Sequence, residues 1–245
     1  MTQRWYDNPF LRFLYLSKTK KLPKIVIIES VERYFIERIY DLNYSMTDLE
    51  MLSKNLIDTT GDSNSLQIKQ RTILEETQEW MKREIGMIGY KNPIKSVTLN
   101  KECFTCTHKE NKLYFYQDDI NQLPTSDSLL YLASIKLDRL FAYADSVGID
   151  LYVLIAADKY DIYQDYIVDN PYPQQNVLER LNAIFPHPKI INSKDTLSNM
   201  VEQGVLDVYW CNDTHWSPIG AEAVAKQLAE RINQYRNDTI FLMTQ

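Results

Sequence analysis

The run Leu151-Tyr152-Val153-Leu154-Ile155-Ala156 is the strongest constraint in this 245-residue chain. It carries no charge and no polar alternation, so neither face of an extended segment there can meet water. It reads as a strand buried on both sides, the kind found inside parallel sheets. The segment before it fixes the class. Asp127 or Ser128 caps a helix whose apolar positions Leu130, Ala133, Leu137, Leu140, Phe141 and Ala144 keep the helical period, and Gly148 supplies the stop. A helix feeding a buried strand is the repeating unit of an α/β fold with a parallel sheet.

A second run, Lys24-Ile25-Val26-Ile27-Ile28-Glu29-Ser30 after Pro23, predicts another strand buried on both faces before the chain turns polar at Val31-Glu32-Arg33. A helix is expected near 175–184, a short strand at 189–192 and a strand at 205–210. Ser217 then caps a closing helix with Pro218 at its first position and Ala221, Val224, Ala225, Leu228 and Ile232 as its apolar stripe. Between these units, residues 42–112 are polar and poor in apolar periodicity. They are expected to form an insertion or lid, with a charged helix over 66–83, inside a single domain spanning 1–245. Leu113-Tyr114-Phe115-Tyr116 reads as a short strand returning to the body.

The net charge of −6 leaves no basic patch to collect phosphates and argues against a nucleic-acid partner. Phe10, Leu11, Phe13, Leu14 and Leu16 form an apolar group too short, and too interrupted by Arg12, for a membrane span or a cleavable leader. Cys103-Phe104-Thr105-Cys106 has the spacing of redox and zinc sites, but no second pair completes a zinc site. These two read as structural thiols or an incidental disulfide, and Cys211 as a small buried residue at a strand end. No cluster has metal-ligand spacing, and no glycine-rich loop cradles a phosphate. His108 and His187 both read as surface residues.

Chemistry concentrates at Asn212-Asp213-Thr214-His215-Trp216-Ser217-Pro218. A carboxylate two residues from an imidazole can orient the ring and stabilise its charged form, as in the acid–base half of a serine triad. The plainer alternative is an Asx cap beside a packed ring. Carboxyl ends of strands line the ligand crevice in open α/β sheets, which draws attention to Ser30, Glu32 and Arg33 after the first strand and to Lys159 and Tyr160 after the second. Ser30 is either a nucleophile or a strand-end hydroxyl that bonds locally. Glu32 and Arg33 either position an acyl or sugar group or pair with each other. Lys159 and Tyr160 either rim a cleft or begin a solvated loop. Trp216 either stacks on a sugar ring or packs under the strand.

Taken in order, these blocks resemble the SGNH/GDSL hydrolase superfamily, and more narrowly its AlgX/AlgJ-like branch, linked to polysaccharide O-acetylation. Asp213-Thr214-His215-Trp216 is similar to that branch's Asp-x-His-Trp block. Ile28-Glu29-Ser30-Val31-Glu32-Arg33-Tyr34 is similar to its strand ending in Val-Glu-Arg-Tyr. Ala156-Ala157-Asp158-Lys159-Tyr160 resembles its Pro-x-Lys turn, with Ala157 and Asp158 in place of the prolines. The resemblance implies a three-layer, flavodoxin-like α/β fold and an O-acetyltransferase or acetyl esterase working through an acyl-serine. It also implies catalytic roles for His215 and Asp213, no cofactor, a polysaccharide or acetylated-sugar substrate, a membrane-bound acetyl-donor partner and a periplasmic or otherwise extracytoplasmic location. No signal peptide is visible in the chain. A catalytically inactive SGNH-like module that binds carbohydrate or assists assembly is the alternative.

The departure lies in the nucleophile. The family's serine follows a strand in a Gly-Asp-Ser block, whereas Gly61-Asp62-Ser63 here follows a poor strand and reads as a loop or helix cap. The resemblance makes the Val-Glu-Arg strand the third, so the Gly-Asp-Ser strand would precede Met1. A truncated product or a divergent member is therefore expected.

Overall fold

The computed structural model describes residues 8–43, 94–106, 111–120 and 125–243. The expected helix over 66–83, the Gly61-Asp62-Ser63 string and His108 lie outside the described residues. Contacts divide the chain into Met1–Asn43 with Lys95–Gln245, and Tyr44–Ile94. Every described residue except Ile94, the first residue of a strand, belongs to the first of these units. Within the span expected to be an insertion, Leu99, Cys103 and Phe104 are core residues of this body.

Helix α1 (Pro9–Thr19) starts because Asn8 caps it, accepting from the backbone N–H groups of Phe10 and Leu11 with Pro9 at the first position. The same Asn8 side chain donates to the carbonyl of Arg38, tying α1 to helix α2 (Glu32–Tyr40). Between them runs strand β1 (Ile25–Val31), which passes into α2 without a loop. Strands β2 (Ile94–Thr98) and β3 (Lys112–Tyr116) form a separate two-stranded sheet. Helix α3 (Asp127–Ser146) is capped by Ser126, one residue before the expected cap, and ends at Gly148 with φ +72°. Strand β4 (Asp150–Ala156) follows, then helix α4 (Lys159–Tyr163), helix α5 (Val177–Ile184), strand β5 (Ile190–Asn192), helix α6 (Ser193–Glu202) and helix α7 (Pro218–Met243).

The sheet order is β1-β4-β5, and both pairings are parallel. Leu151 to Ala156 are all buried, as their composition requires of a central strand. Helices α2, α3 and α5 pack in succession on one another, while α6 packs on α7, and both groups reach the sheet. The result is the expected three-layer α/β arrangement of helices on a parallel sheet.

Two expectations are corrected, and one helix is added. First, β1 is not buried on both faces: Ile27 is 45 % exposed and Glu29 is exposed, because β1 is the outer strand of the described sheet. Second, 205–210 is not a strand. Asp207 sits at φ +55°, which breaks the pleat, and its carboxylate instead accepts from the N–H and hydroxyl of Thr105. Only Tyr209 keeps a bridge, to Trp216. The polar stretch 193–202, for which the sequence pattern gave no element, is a helix, with Leu197 and Val201 buried one turn apart and Asn192 capping through the N–H of Lys194.

The closing helix forms as expected. Ser217 Oγ accepts from the N–H groups of Ile219 and Gly220, although only Val224 of the predicted stripe is fully buried and Ala221 and Ala225 face solvent. Gly220 packs its Cα face directly on the 208 carbonyl, and a Cβ there would lie 2.3 Å from Val208 O. Gly220→Ala is expected to cost about 1–3 kcal/mol through this backbone clash, read as a lowered melting temperature in thermal denaturation.

Candidate active site

All three strands of the parallel sheet end on one side, and their ends are stitched together by buried polar groups. Ala157 donates its N–H to Ser193 Oγ, joining the ends of β4 and β5. Asp158 donates its N–H to Glu32 Oε2 at 3.1 Å, joining β4 to the start of α2. Burial foremost, then the charges of Asp161 and Asp158, hold the Glu32 carboxyl well above the usual carboxylate range. The charge that acts on it most is that of the Asp161 carboxyl. Asp161 in turn accepts from Lys194 Nζ at 2.8 Å and Gln164 Nε2 at 2.7 Å.

Arg33 does not pair with Glu32. It points to the other side, where its guanidinium bonds Asp119 at 3.1 Å and Asp158, and lies over the rings of Tyr34 and Tyr116. Asp119 is buried, and its carboxyl is pushed up to about 7 by burial and by the Asp158 charge, with Arg33 opposing. Sequence reasoning did not single out Asp119, Asp161, Ser193 or Lys194. Only their burial together reveals them as a network.

Lys159 and Tyr160 neither rim a cleft nor begin a solvated loop; both are buried in the first turn of α4. Tyr160 Oη donates to the carbonyl of Pro173 and accepts from Asn170 Nδ2. Lys159 Nζ donates to the carbonyls of Trp210 (2.7 Å), Cys211 (2.9 Å) and Asp213 (3.1 Å). An ammonium has three N–H groups, so this one side chain can serve all three acceptors.

Those carbonyls belong to the loop that carries the acid–imidazole pair. Tyr209 and Trp216 face each other across an antiparallel bridge, flanked by Trp210 N–H to His215 O and Ser217 N–H to Val208 O. The bridged side chains point inward, where Trp216 Nε1 donates to Tyr209 Oη at 2.8 Å and Tyr209 donates to the carbonyl of Ala157. Trp216 therefore spends its polar atom on the interior. At the tip, Asp213 Oδ1 accepts from the N–H of His215 at 3.0 Å and lies 2.5 Å from His215 Nδ1. A little burial raises the Asp213 carboxyl, but the hydrogen bonds from His215 outweigh it and hold the group below the usual range. The His215 side chain is 82 % exposed, so the ring is fixed through Nδ1 while standing in solvent.

Cys211 is not an isolated buried thiol: it forms a disulfide with Cys106, across 105 positions of sequence, leaving Cys103 as a buried free cysteine. The loop is thus held by a covalent bond on one flank and an ammonium on the other. His187, expected at the surface, is half-buried and stacks on Phe141 and Phe185.

Ser30 stands at the end of β1 as expected, but its hydroxyl is buried. It accepts from Arg38 at 2.9 Å, donates to the Val31 carbonyl at 3.3 Å and makes no hydrogen bond to His215. The structure brings Asp213 and His215 together and places Lys159 beneath them. It does not join Ser30 to that pair. Among the described residues, no cluster of His, Cys, Asp or Glu could hold a metal ion, and no helix is long and apolar enough to cross a membrane.

The class of this domain is that of the SGNH hydrolase-like α/β proteins. A family model described as "SGNH hydrolase-like domain, acetyltransferase AlgX" matches residues 115–240, and the chain belongs to this family. The matched span holds β4, β5 and the Asp213–His215 loop, while β1 with Ser30, Glu32 and Arg33 lies outside it. No curated protein and no solved structure matches the chain.

Burial lowers the Lys159 ammonium from an ordinary 10.5 to about 7, against the charges of Asp213 and Asp119. Between those two values the unfolded chain holds a proton that the folded protein has released, so stability contributed through Lys159 rises with pH. The melting temperature of the wild type relative to Lys159→Met is expected to increase from pH 7 to about 9, as measured by calorimetry across that window.

Proposed function

We propose that this chain is an acyl-transfer module of the SGNH type, an O-acetyltransferase or acetyl esterase acting on a cell-surface or exported polysaccharide. The family assignment gives an acetyltransferase- or hydrolase-like role. The observation that carries the finer reading is the 2.5 Å contact between Asp213 Oδ1 and His215 Nδ1. It fixes the tautomer and leaves Nε2 of an exposed ring to take a proton from a hydroxyl and return it to a leaving group. In this mechanism a serine attacks the acetyl carbonyl as His215 removes its proton. The tetrahedral oxyanion is stabilised by backbone N–H donors, and the acetyl-serine passes its acetyl group to a sugar hydroxyl or to water. The disulfide supports an oxidising, extracytoplasmic setting, consistent with a polysaccharide substrate and an acetyl donor supplied by a membrane-bound partner.

A second reading, a non-catalytic carbohydrate-binding or assembly module, is favoured by one observation: the Ser30 hydroxyl is sealed and engaged by Arg38. To serve as the nucleophile, Ser30 must exchange that bond for one to His215. His215→Ala is expected to lower turnover of a small activated acetyl ester by about 10²- to 10⁴-fold while leaving the fold intact, since its ring stands in solvent. No measurable turnover by the wild type would move the assignment to the binding module. Ser30→Ala is expected to abolish acetyl-enzyme formation, followed by mass spectrometry of the intact protein. An undiminished +acetyl species would remove Ser30 from the mechanism and leave it the structural bond to Arg38.

A further inference from the structure

The segment Cys103-Phe104-Thr105-Cys106 is a strap lashed to the chain that leads into the Asp213–His215 loop. Asp207 donates its N–H to the carbonyl of Cys103 at 2.9 Å. Its carboxylate accepts from the N–H of Thr105 at 3.0 Å and from the Thr105 hydroxyl at 2.6 Å. Further along, Cys211 is joined covalently to Cys106. The buried Phe104 ring lies 4.8 Å from Lys159 Nζ and forms part of the wall around that ammonium. The carbonyls of Trp210, Cys211 and Asp213 form another part. Strap and loop therefore enclose Lys159 together, and the disulfide is the covalent join between them.

The bases of both segments are held without that join. Cys103 and Phe104 belong to the core, Asp207 is bonded to Thr105, and the Tyr209 hydroxyl is anchored on the Ala157 carbonyl. The disulfide thus acts on the tip, residues 210–215, and not on the sheet. The tip has need of it. Burial disfavours the Lys159 charge and lowers its ammonium from 10.5 to about 7. An open loop returns that charge to water, so the closed tip is held against a standing drive to open. The three cysteines of the chain divide to match. Cys106 is exposed and Cys211 half-buried, so thiol reagents reach the bond. Cys103 is sealed, and burial pushes its thiol up to about 11. A thiol kept protonated does not compete for either partner.

We propose that the Cys106–Cys211 disulfide is a redox latch on the candidate active site, closed by a disulfide donor and opened by a dithiol. Its formation shuts the loop over Lys159 and fixes Asp213 and His215, and its reduction frees the tip and silences the pair. In closing, the exposed Cys106 thiolate attacks one sulfur of the donor's disulfide and displaces the other. The Cys211 thiolate then attacks Cys106 Sγ, forms the S–S bond and displaces the first. The two thiol protons and two electrons end on the donor, which leaves as a dithiol. The chain is silent in a reducing compartment and becomes competent on reaching an oxidising one.

The full chain is compared oxidised, reduced with dithiothreitol, and reoxidised with glutathione disulfide, near neutral pH. Hydrogen exchange read by mass spectrometry follows the loop, and labelling with acetic anhydride follows access to Lys159. Reduction is expected to raise exchange at 210–217 and labelling of Lys159 about tenfold or more, with β4 still protected, and reoxidation to restore both. Cys211→Ser is expected to match the reduced protein under all conditions, and Cys103→Ala to match the wild type. Unchanged exchange and labelling on reduction overturn the latch. So does loss of protection at 151–156, which would make the disulfide a staple of the whole body. The latch rests on the acyl-transfer reading for its purpose, but these two readouts need no turnover. Turnover of a small activated acetyl ester, scored beside them, is expected to fall about tenfold or more on reduction. A wild type without turnover ends the acyl-transfer reading and leaves the latch to be decided by exchange and labelling. Turnover that persists undiminished in the reduced protein overturns the latch and leaves the acyl-transfer reading standing.

Discussion

The ammonium of Lys159 is the contact on which the candidate site depends. It is planted in the first turn of α4, directly after the central strand, and holds three carbonyls of the loop that bears Asp213 and His215. The position of the acid–imidazole pair is thereby referred to β4, the most deeply buried strand of the sheet. Buried charge is unfavourable unless its donors are used, and here all three N–H groups have an acceptor. The Cys106–Cys211 disulfide restrains the same loop from another direction. A loop of this kind can present two exposed reactive groups without the mobility that exposure normally brings, which is what preorganised acid–base chemistry needs.

Around this clamp, the strand ends carry more charge than a protein interior ordinarily tolerates. Glu32, Asp119, Asp158 and Asp161 are all buried, and Arg33 and Lys194 are the cations set among them. The balance is struck partly by ion pairs and partly by protons. Burial holds the Glu32 carboxyl well above the usual carboxylate range, and Asp161 is raised to about 6 by burial against the pull of Lys194. Such a network is more informative about geometry than about stability, because breaking one member leaves another buried and unpaired. It fixes where α2 and α4 begin relative to the sheet, and so where Lys159 points.

Much of the scaffold was legible in the chain because its signals are local. The period of Leu130, Ala133, Leu137, Leu140, Phe141 and Ala144, the Gly148 stop and the Ser217-Pro218 start each work within a few residues, and each is found in the structure. Helix α6 was missed because Leu197 and Val201 are its only fully buried apolar residues, the rest of that contact face being made by Ser193 and Lys194. The segment 205–210 misled for the opposite reason. Its β-branched and aromatic run imitates a strand, but the left-handed Asp207 and the absence of a neighbouring strand among the described residues leave only one bridge.

For the candidate site, local sequence was enough to set the pairing of Asp213 with His215, since two residues of separation suffice for a carboxylate to reach both the N–H and the ring of its neighbour. Composition and period were likewise enough for the α/β class. Everything that depends on distance along the chain was settled by folding: that Lys159 is buried instead of extending into water, that Cys106 finds Cys211, that Arg33 faces Asp158 and not Glu32, and that Ser30 faces Arg38. A long cationic side chain ordinarily carries its charge to solvent. Only when the loop folds over α4 does the interior offer three carbonyls in its place.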